Sequence, residues 1–119
     1  MDKQFKATGV HISEYPDPIN FPKGTPLLIH DKYEGDEGWE NWYFCVIPEH
    51  SGGWVPGQLI EWSDDRHHGT SKESYSAREL NVSTGDILTG TREMNGWVWC
   101  LRSSDQKEGW VPKSLLQAI

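Results

Sequence analysis

The tetrapeptide Gly-Trp-Val-Pro occurs twice in this chain, at residues 53–56 and again at residues 109–112. Each copy is followed by a short polar step and two apolar residues, "GQLI" in the first and "KSLL" in the second. An internal repeat of this kind indicates two copies of one structural unit. The 119 residues are therefore expected to form two very small domains rather than one larger one.

The similarity between the two halves extends well beyond the tetrapeptide. The matched positions are Tyr15 with Tyr75, Gly24 with Gly85, Trp42 with Trp97, Cys45 with Cys100, and Trp54-Val55-Pro56 with Trp110-Val111-Pro112. The predicted domains cover residues 9–62 and 72–119. The polar segment 63–74 is predicted to be a linker and residues 1–8 a flexible lead-in, because neither shows apolar periodicity.

Both halves have the pattern of short β-strands. Apolar and polar residues alternate in "INF", "LNV", "WYFCV" and "WVWCL", and glycine, asparagine or aspartate punctuates these runs. Such spacing is typical of small antiparallel barrels, and no segment has a convincing helical period. We therefore expect an all-β protein, with a single 3₁₀ turn after each Trp-Val-Pro.

The Trp-Val-Pro segments are expected to end strands, because proline donates no hydrogen bond to a neighbouring strand. Alternation then turns Val55 and Val111 towards the core. Trp54, Trp110 and the two prolines are expected to face outward and to form the floor of an apolar groove.

The formal charge of −7 limits the kinds of partner. An acidic surface repels phosphate, so nucleic acid and anionic membranes are not expected as partners, whereas a basic peptide or protein surface is. No apolar run approaches the roughly 20 residues of a membrane span. The first residues, "MDKQFKATGV", lack the apolar centre of a secretory signal, so a cytoplasmic location with reduced cysteines is expected.

Catalytic and metal-binding patterns are weak. Cys45 and Cys100 are expected to be buried free thiols, since alternation turns both inward. The adjacent histidines at 67–68 lack the spacing of a zinc site, and no Cys-x-x-Cys pair occurs. No Gly-x-Ser-x-Gly or Walker motif is present either. We expect no enzymatic activity, no metal and no cofactor.

Each half resembles a Src-homology 3 (SH3) domain. The second half carries "YSARELNVSTGD", "NGWVWC" and "EGWVP", and the first carries the looser set "YPDPINFPKGT", "ENWYFC" and "GGWVP". The tandem arrangement and the cysteine after the tryptophan strand are similar to the variant SH3 proteins of bacteria. This resemblance implies two five-stranded SH3-like barrels in tandem, each binding a peptide in a groove.

The resemblance also implies which residues line the grooves. Carried over by position, they are Tyr15, Trp42, Pro56, Leu59, Tyr75, Trp97, Pro112 and Leu115. Trp39 competes with Trp42 for its role, because it follows Gly38. Leu59 and Leu115 stand where the family has a tyrosine, so proline-rich ligands lose a hydroxyl partner. The acidic residues expected to face a ligand are Glu14, Asp17, Glu34, Asp36 and Glu37.

The sequence thus predicts a non-enzymatic module that binds a protein or peptide, with proline-rich and basic segments as candidate ligands. A structural or self-associating protein, with its grooves filled by the other repeat or by a second chain, is the alternative. An exported cell-wall-binding SH3 module is a further alternative, which would need a signal sequence.

Overall fold

The computed structural model describes residues 3–13, 17–34 and 41–119. Within these ranges the protein is built from β-strands and two 3₁₀ turns, Gly57–Leu59 and Lys113–Leu115, without an α-helix. The all-β prediction and the two predicted turns are confirmed. No helix in this part of the chain is long and apolar enough to cross a membrane.

The described residues form twelve strands. The first six are β1 (Lys3–Ala7), β2 (Asn20–Phe21), β3 (Pro26–Lys32), β4 (Trp42–Ile47), β5 (His50–Pro56) and β6 (Ile60–Trp62). The second six are β7 (His68–Ser71), β8 (Tyr75–Ser76), β9 (Ile87–Met94), β10 (Trp97–Arg102), β11 (Glu108–Pro112) and β12 (Leu116–Ala118).

The chain divides into two compact units, but not at the predicted boundaries of 9–62 and 72–119. Unit 1 combines Met1–Pro16 with Arg78–Ile119, and unit 2 is the continuous stretch Asp17–Ala77. Unit 1 is therefore assembled from both ends of the sequence, with the whole of unit 2 inserted between its two parts.

The two units have sheets of the same order. The five strands of unit 2 lie in the order β5-β4-β3-β7-β6, and a separate pair is formed by β2 and β8. The five strands of unit 1 lie in the order β11-β10-β9-β1-β12. Position by position, β3, β4, β5 and β6 correspond to β9, β10, β11 and β12. The fourth strand is β7 in unit 2 and β1 in unit 1.

The fourth strands are exchanged relative to the sequence repeats. Strand β1 precedes the first repeat, yet it pairs with β9 and β12 of the second repeat. Strand β7 precedes the second repeat, yet it pairs with β3 and β6 of the first. The predicted flexible lead-in 1–8 and the predicted linker 63–74 are therefore wrong, because each supplies a strand with ladder partners on both sides.

Backbone hydrogen bonds show that the exchanged strands occupy equivalent places. In unit 2 the N–H of Gly24 donates to the carbonyl of Ser71 at 2.9 Å, and in unit 1 the N–H of Gly85 donates to Ala7 at 2.8 Å. Both glycines have a positive φ, 87° and 95°, which other residues adopt only with strain. The same turn thus anchors the end of the fourth strand in both units.

Each unit has its own core. The core cluster of unit 1 contains Ala7, Leu80, Val82, Leu88, Val98, Cys100 and Val111, with Phe5 and Leu116 packed against it. The buried apolar residues of unit 2 include Ile19, Phe21, Leu27, Ile29, Cys45, Val55, Leu59 and Ile60. Val55 and Val111 are fully buried, so their inward orientation is confirmed.

Candidate functional site

In both units the sheet brings a tryptophan opposite a proline. Trp42 is the cross-strand partner of Pro56, and Trp97 is the cross-strand partner of Pro112. The 3₁₀ turn that follows each proline is tied to the neighbouring hairpin. Gly57 donates to the carbonyl of Asn41 at 2.8 Å in unit 2, and its counterpart in unit 1 makes a matching bond. The predicted tryptophan–proline apposition is therefore present in both units.

The sequence predicts that both prolines and Trp110 face solvent, and for these three residues the prediction is wrong. Pro56 and Pro112 are buried, and Trp110 is only 5% exposed. Trp110 packs edge-on against Trp99, with ring centroids 5.3 Å apart. Its backbone bonds to Arg78 and Leu80, so segment 78–80 pairs with the free edge of strand β11. A large ring opposite each proline removes the pyrrolidine from solvent as well.

Tyr75, predicted for the groove of the second repeat, belongs instead to unit 2, and it is buried there like Leu59. Leu59 is 2% exposed and Tyr75 is 7% exposed. Tyr75 packs against Phe21 at 5.7 Å, and its hydroxyl donates to the carbonyl of Trp54 at 3.2 Å. A buried hydroxyl with a backbone partner fixes the tyrosine ring, so Tyr75 is a positioning group for strand β5.

In unit 1, Leu115 is half-buried and packs against Gly9. A Cβ atom on Gly9 would lie 3.1 Å from Cδ2 of Leu115. Tyr15, and Trp39 as the competitor of Trp42, lie outside the described residues. The predicted groove residues that the structure describes are Trp97, Pro112 and Leu115 in unit 1, and Trp42, Pro56, Leu59 and Tyr75 in unit 2.

His11 is a neighbour of Trp97 that the sequence patterns did not indicate. It forms a bridge with Val82, just as Tyr75 pairs with Phe21 in unit 2. Its Nε2 atom lies 2.7 Å from Oε1 of Glu79, and its ring meets Trp97 edge-on at 5.6 Å. The alignment of consecutive repeats matched Tyr75 with Tyr15, whereas the exchange of strands makes His11 its true counterpart.

Of the predicted acidic residues, Glu14, Asp36 and Glu37 lie outside the described residues. Asp17 has an 87% exposed side chain, and its Oδ2 atom lies 3.4 Å from Nε2 of His50. Glu34 is exposed directly after Tyr33. Both described carboxylates are thus accessible to a ligand in unit 2.

Unit 2 carries a row of ring side chains on the sheet face opposite its core. Cys45 and Val55 point inward, so their neighbours along the strands point outward. We name this set the aromatic row: His30, Tyr33, Phe44 and Trp54. Successive ring centroids are 5.2 Å apart from Tyr33 to Trp54, 5.5 Å from Trp54 to Phe44, and 6.4 Å from Phe44 to His30. Three rings of the row are half-buried and His30 is exposed.

The corresponding face of unit 1 is more polar. Leu28 and His30 on β3 correspond to Thr89 and Thr91 on β9. The Thr89 hydroxyl accepts a hydrogen bond from the Gln4 side chain at 2.9 Å, and the Thr91 hydroxyl donates to the carbonyl of Trp99 at 3.5 Å. The ring contacts of this face include the Trp99–Trp110 pair and the contact of Trp97 with the His11 ring.

The thiols are poor nucleophiles in this structure. Burial raises the pKa of Cys45 and the pKa of Cys100 to about 12 each. Each sulfur lies near a carbonyl two residues earlier in the chain, at 3.6 Å from Tyr43 and 3.5 Å from Val98. Both groups therefore stay protonated near neutral pH.

The adjacent histidines belong to a turn. Oδ1 of Asp65 accepts hydrogen bonds from the Ser63 hydroxyl at 2.6 Å and from the N–H of His67 at 2.9 Å. Its Oδ2 atom lies 2.7 Å from Nδ1 of His68. These hydrogen bonds, of which the one from Ser63 has the largest effect, lower the pKa of Asp65. The hydrogen bonds of Asp65 thus close the β6–β7 hairpin. No group of three or more potential metal ligands occurs in the described ranges.

No family model and no curated protein matches the sequence. A solved structure described as CBDP35 aligns with 100% of this chain and 97% of its own, at 11% identity and a TM-score of 0.34. At this level of similarity, the fold and the function rest on the chain's own residues.

Proposed function

We propose that this protein is a non-enzymatic, cytoplasmic binding module whose two units are SH3-like barrels and whose partner is a peptide or a protein surface. The observation that carries the proposal is the tryptophan–proline pair at the same place in both sheets, continued by a second cross-strand aromatic pair. Those second pairs are Phe44 with Trp54 and Trp99 with Trp110.

The physical support is the kind of surface that these pairs make. Partly exposed aromatic rings bury a large area at a small cost in conformational entropy, and aromatic residues are enriched where proteins bind one another. Phe44 and Trp54 in unit 2 and Trp99 in unit 1 are half-buried, so part of each ring is available. A role as a catalyst is disfavoured by the protonated, buried thiols.

A structural or self-associating role is the second candidate, and one observation favours it. Trp42, Pro56, Leu59 and Tyr75 are all buried. Side chains that are already covered contribute packing energy to the fold, and they offer little new area to a ligand.

The two candidates are separated by titrating the ¹⁵N-labelled protein with a proline-rich peptide, an arginine-bearing peptide and an uncharged peptide. Binding is expected to shift backbone amides of β4 and β5, of β10 and β11, or of both pairs of strands. Light scattering on the same samples gives the oligomeric state. A dimer that responds to none of the peptides would support self-association and overturn the binding proposal.

A further inference from the structure

We propose that the aromatic row of unit 2 is the docking site for a positively charged segment of a partner protein, one that presents arginine side chains. This inference rests on the proposed function, and it assigns binding to one face of one unit. Phe44 and Trp54 of the aromatic row adjoin the buried Trp42–Pro56 pair on the same strands, and unlike that pair they retain exposed surface.

The first step is the distribution of charge between the two units. Unit 2 contains 11 acidic and 4 basic side chains, a net formal charge of −7. Unit 1 contains 7 of each, a net of zero. The difference in net charge is larger between the units than between consecutive halves of the sequence, which carry −6 for residues 1–62 and −1 for residues 63–119. The entire net charge of the protein thus belongs to the unit that carries the aromatic row.

The second step is the chemistry of the row itself. The faces of aromatic rings are electron-rich and attract the planar guanidinium group, which also stacks on them. Tyr33, Trp54 and Phe44 form consecutive edge-to-face contacts with interplanar angles of 85° and 79°. Each ring is held by its neighbour, so little side-chain freedom remains to be lost when a ligand binds.

The third step is the apolar margin of the row. Leu28 is 40% exposed and lies opposite Val46, beside the strand positions of His30 and Phe44. The methylene stem of an arginine can cover such a margin while its charged end stays near carboxylates. Asp31 and Glu34, both exposed, lie within two residues of Tyr33 in the sequence, and the exposed Lys32 stands between Asp31 and Tyr33. An acidic ligand would be repelled by this unit, and an uncharged one would gain nothing from its charge.

The experiment titrates the full chain with a synthetic peptide of alternating arginine and glycine, and with versions in which glutamate or serine replaces arginine. Calorimetry gives the affinity, and ¹⁵N amide shifts locate the site. We expect the arginine peptide alone to bind and to shift residues of β3, β4 and β5. Its affinity should fall between about 0.05 M and about 0.5 M NaCl, because screening weakens charge attraction.

The first variants form a matched pair. Phe44→Leu removes a ring from the aromatic row and should weaken binding about five- to twentyfold, the range of a partly desolvated cation–π contact. Trp99→Leu removes the ring at the equivalent position of unit 1 and should weaken binding of this peptide less than Phe44→Leu does. An amide spectrum of each variant confirms that it is folded.

The second variants keep the test decisive if Phe44→Leu does not fold. Leu28→Lys adds a positive charge at an exposed position of the row and should weaken binding of the arginine peptide severalfold. Thr89→Lys adds the same charge at the equivalent position of unit 1 and should have less effect.

Three outcomes would overturn the inference while leaving the proposed function intact. They are binding of the arginine peptide to unit 1, equal loss of affinity in both members of a matched pair, and binding of the serine peptide with the same affinity. Salt-independent binding of an uncharged oligosaccharide to the row, without binding of arginine peptide, would overturn it in favour of a glycan ligand. Failure of every peptide to bind would overturn both proposals.

Discussion

The two units fill the same place beside the fourth strand with opposite arrangements of large and small side chains. In unit 1 the large residue is on the exchanged strand: Phe5 lies opposite Ala118 and next to Gly90. In unit 2 the small residue is on the exchanged strand: Gly69 lies opposite Trp62 and near Ile29. The same space is thus filled once from β1 and once from the strands beside β7.

This difference explains how two similar sheets accept different fourth strands. A Cβ on Gly90 would lie 2.6 Å from the Phe5 ring, and a Cβ on Gly69 would lie 2.9 Å from Ile60 and 3.1 Å from Ile29. Placed in unit 2, Phe5 would meet Trp62 and Ile29. Backbone ladders alone do not distinguish strands, so volume complementarity supplies the distinction.

The largest expected effect comes from deleting residues 1–7, which removes β1 from the interior of the unit 1 sheet. Strands β9 and β12 each lose their pairing with β1, and the core loses Phe5 and Ala7. We expect the amide signals of residues 78–119 to lose their dispersion in an NMR spectrum while those of 17–77 retain it. Unchanged dispersion in both sets would show that β1 is dispensable.

The second largest effect is expected from Gly90→Ile, which gives unit 1 the residue that unit 2 has at the equivalent position. The added side chain collides with Phe5 and Val98, and overpacking of this kind costs about 3 kcal/mol of the free energy of unfolding. Urea denaturation measures the loss.

The double variant Phe5→Gly with Gly90→Ile serves as the control, because it gives β1 and β9 the small and large residues that β7 and β3 have in unit 2. We expect it to recover part of the stability lost in Gly90→Ile. Additive losses in the double variant would rule out coupling between the two positions.

A smaller effect is expected from Ser71→Ala, at the end of the exchanged strand in unit 2. The buried hydroxyl accepts from the N–H of Thr25 and donates to the carbonyl of Pro22, both at 3.0 Å. Removing it leaves both groups without this partner and should cost about 1–2 kcal/mol. Ala7 occupies the same place in unit 1, so Ala7→Ser is the matched reverse change. A gain in stability from Ser71→Ala would contradict the assignment.

The smallest expected effect concerns pH and unit 1. Hydrogen bonds from the Arg102 guanidinium, at 3.0 Å and 2.9 Å, lower the pKa of Asp105 from 3.8 to about 2. A carboxyl group with a lowered pKa in the folded state stabilises the fold above its unfolded pKa. That contribution disappears as the pH falls towards about 2.

The measurement compares thermal midpoints of the wild type and Asp105→Asn between about pH 6 and about pH 2. The effect should be modest, because exposed ion pairs contribute little to stability. We expect the difference between the two proteins to shrink as the pH falls. A difference that stays constant over this range would contradict the role of the carboxylate charge.

The sequence carried enough information to predict the strands around each Trp-Val-Pro copy. The Gly-Trp-Val-Pro copies correctly predicted strand ends followed by 3₁₀ turns, and alternation correctly turned Cys45 and Cys100 inward. These features depend on local backbone chemistry, on proline's missing donor and on the period of a strand, and each is legible in a few consecutive residues.

The strand exchange could not be predicted from the same patterns. Strand β1 reads "KQFKA" and β7 reads "HGTS", and neither is an apolar alternating run. Both are held by backbone pairing on two sides, which leaves little trace in side-chain identity. The sequence signal is the match of a large with a small residue, Phe5 against Gly90 and Ile29 against Gly69. It can be recognised only once the strand partners are known.

The exposure of the tryptophan–proline pairs was also mispredicted for a physical reason. Alternation assigns a side chain to a face of the sheet, but it does not say what covers that face. In unit 1 the His11 ring lies against Trp97, and segment 78–80 pairs with the edge of β11; these are tertiary contacts that no local pattern announces.

Inter-strand nuclear Overhauser effects of Phe5 and Gly69 test the exchange of fourth strands most directly. Exchanged fourth strands give contacts from Phe5 to Leu88 and Ala118, and from Gly69 to Leu27 and Trp62. Contacts from Phe5 to Leu27 or Trp62, with Gly69 beside Leu88 or Ala118, would show that each repeat keeps its own first strand and would contradict the exchange.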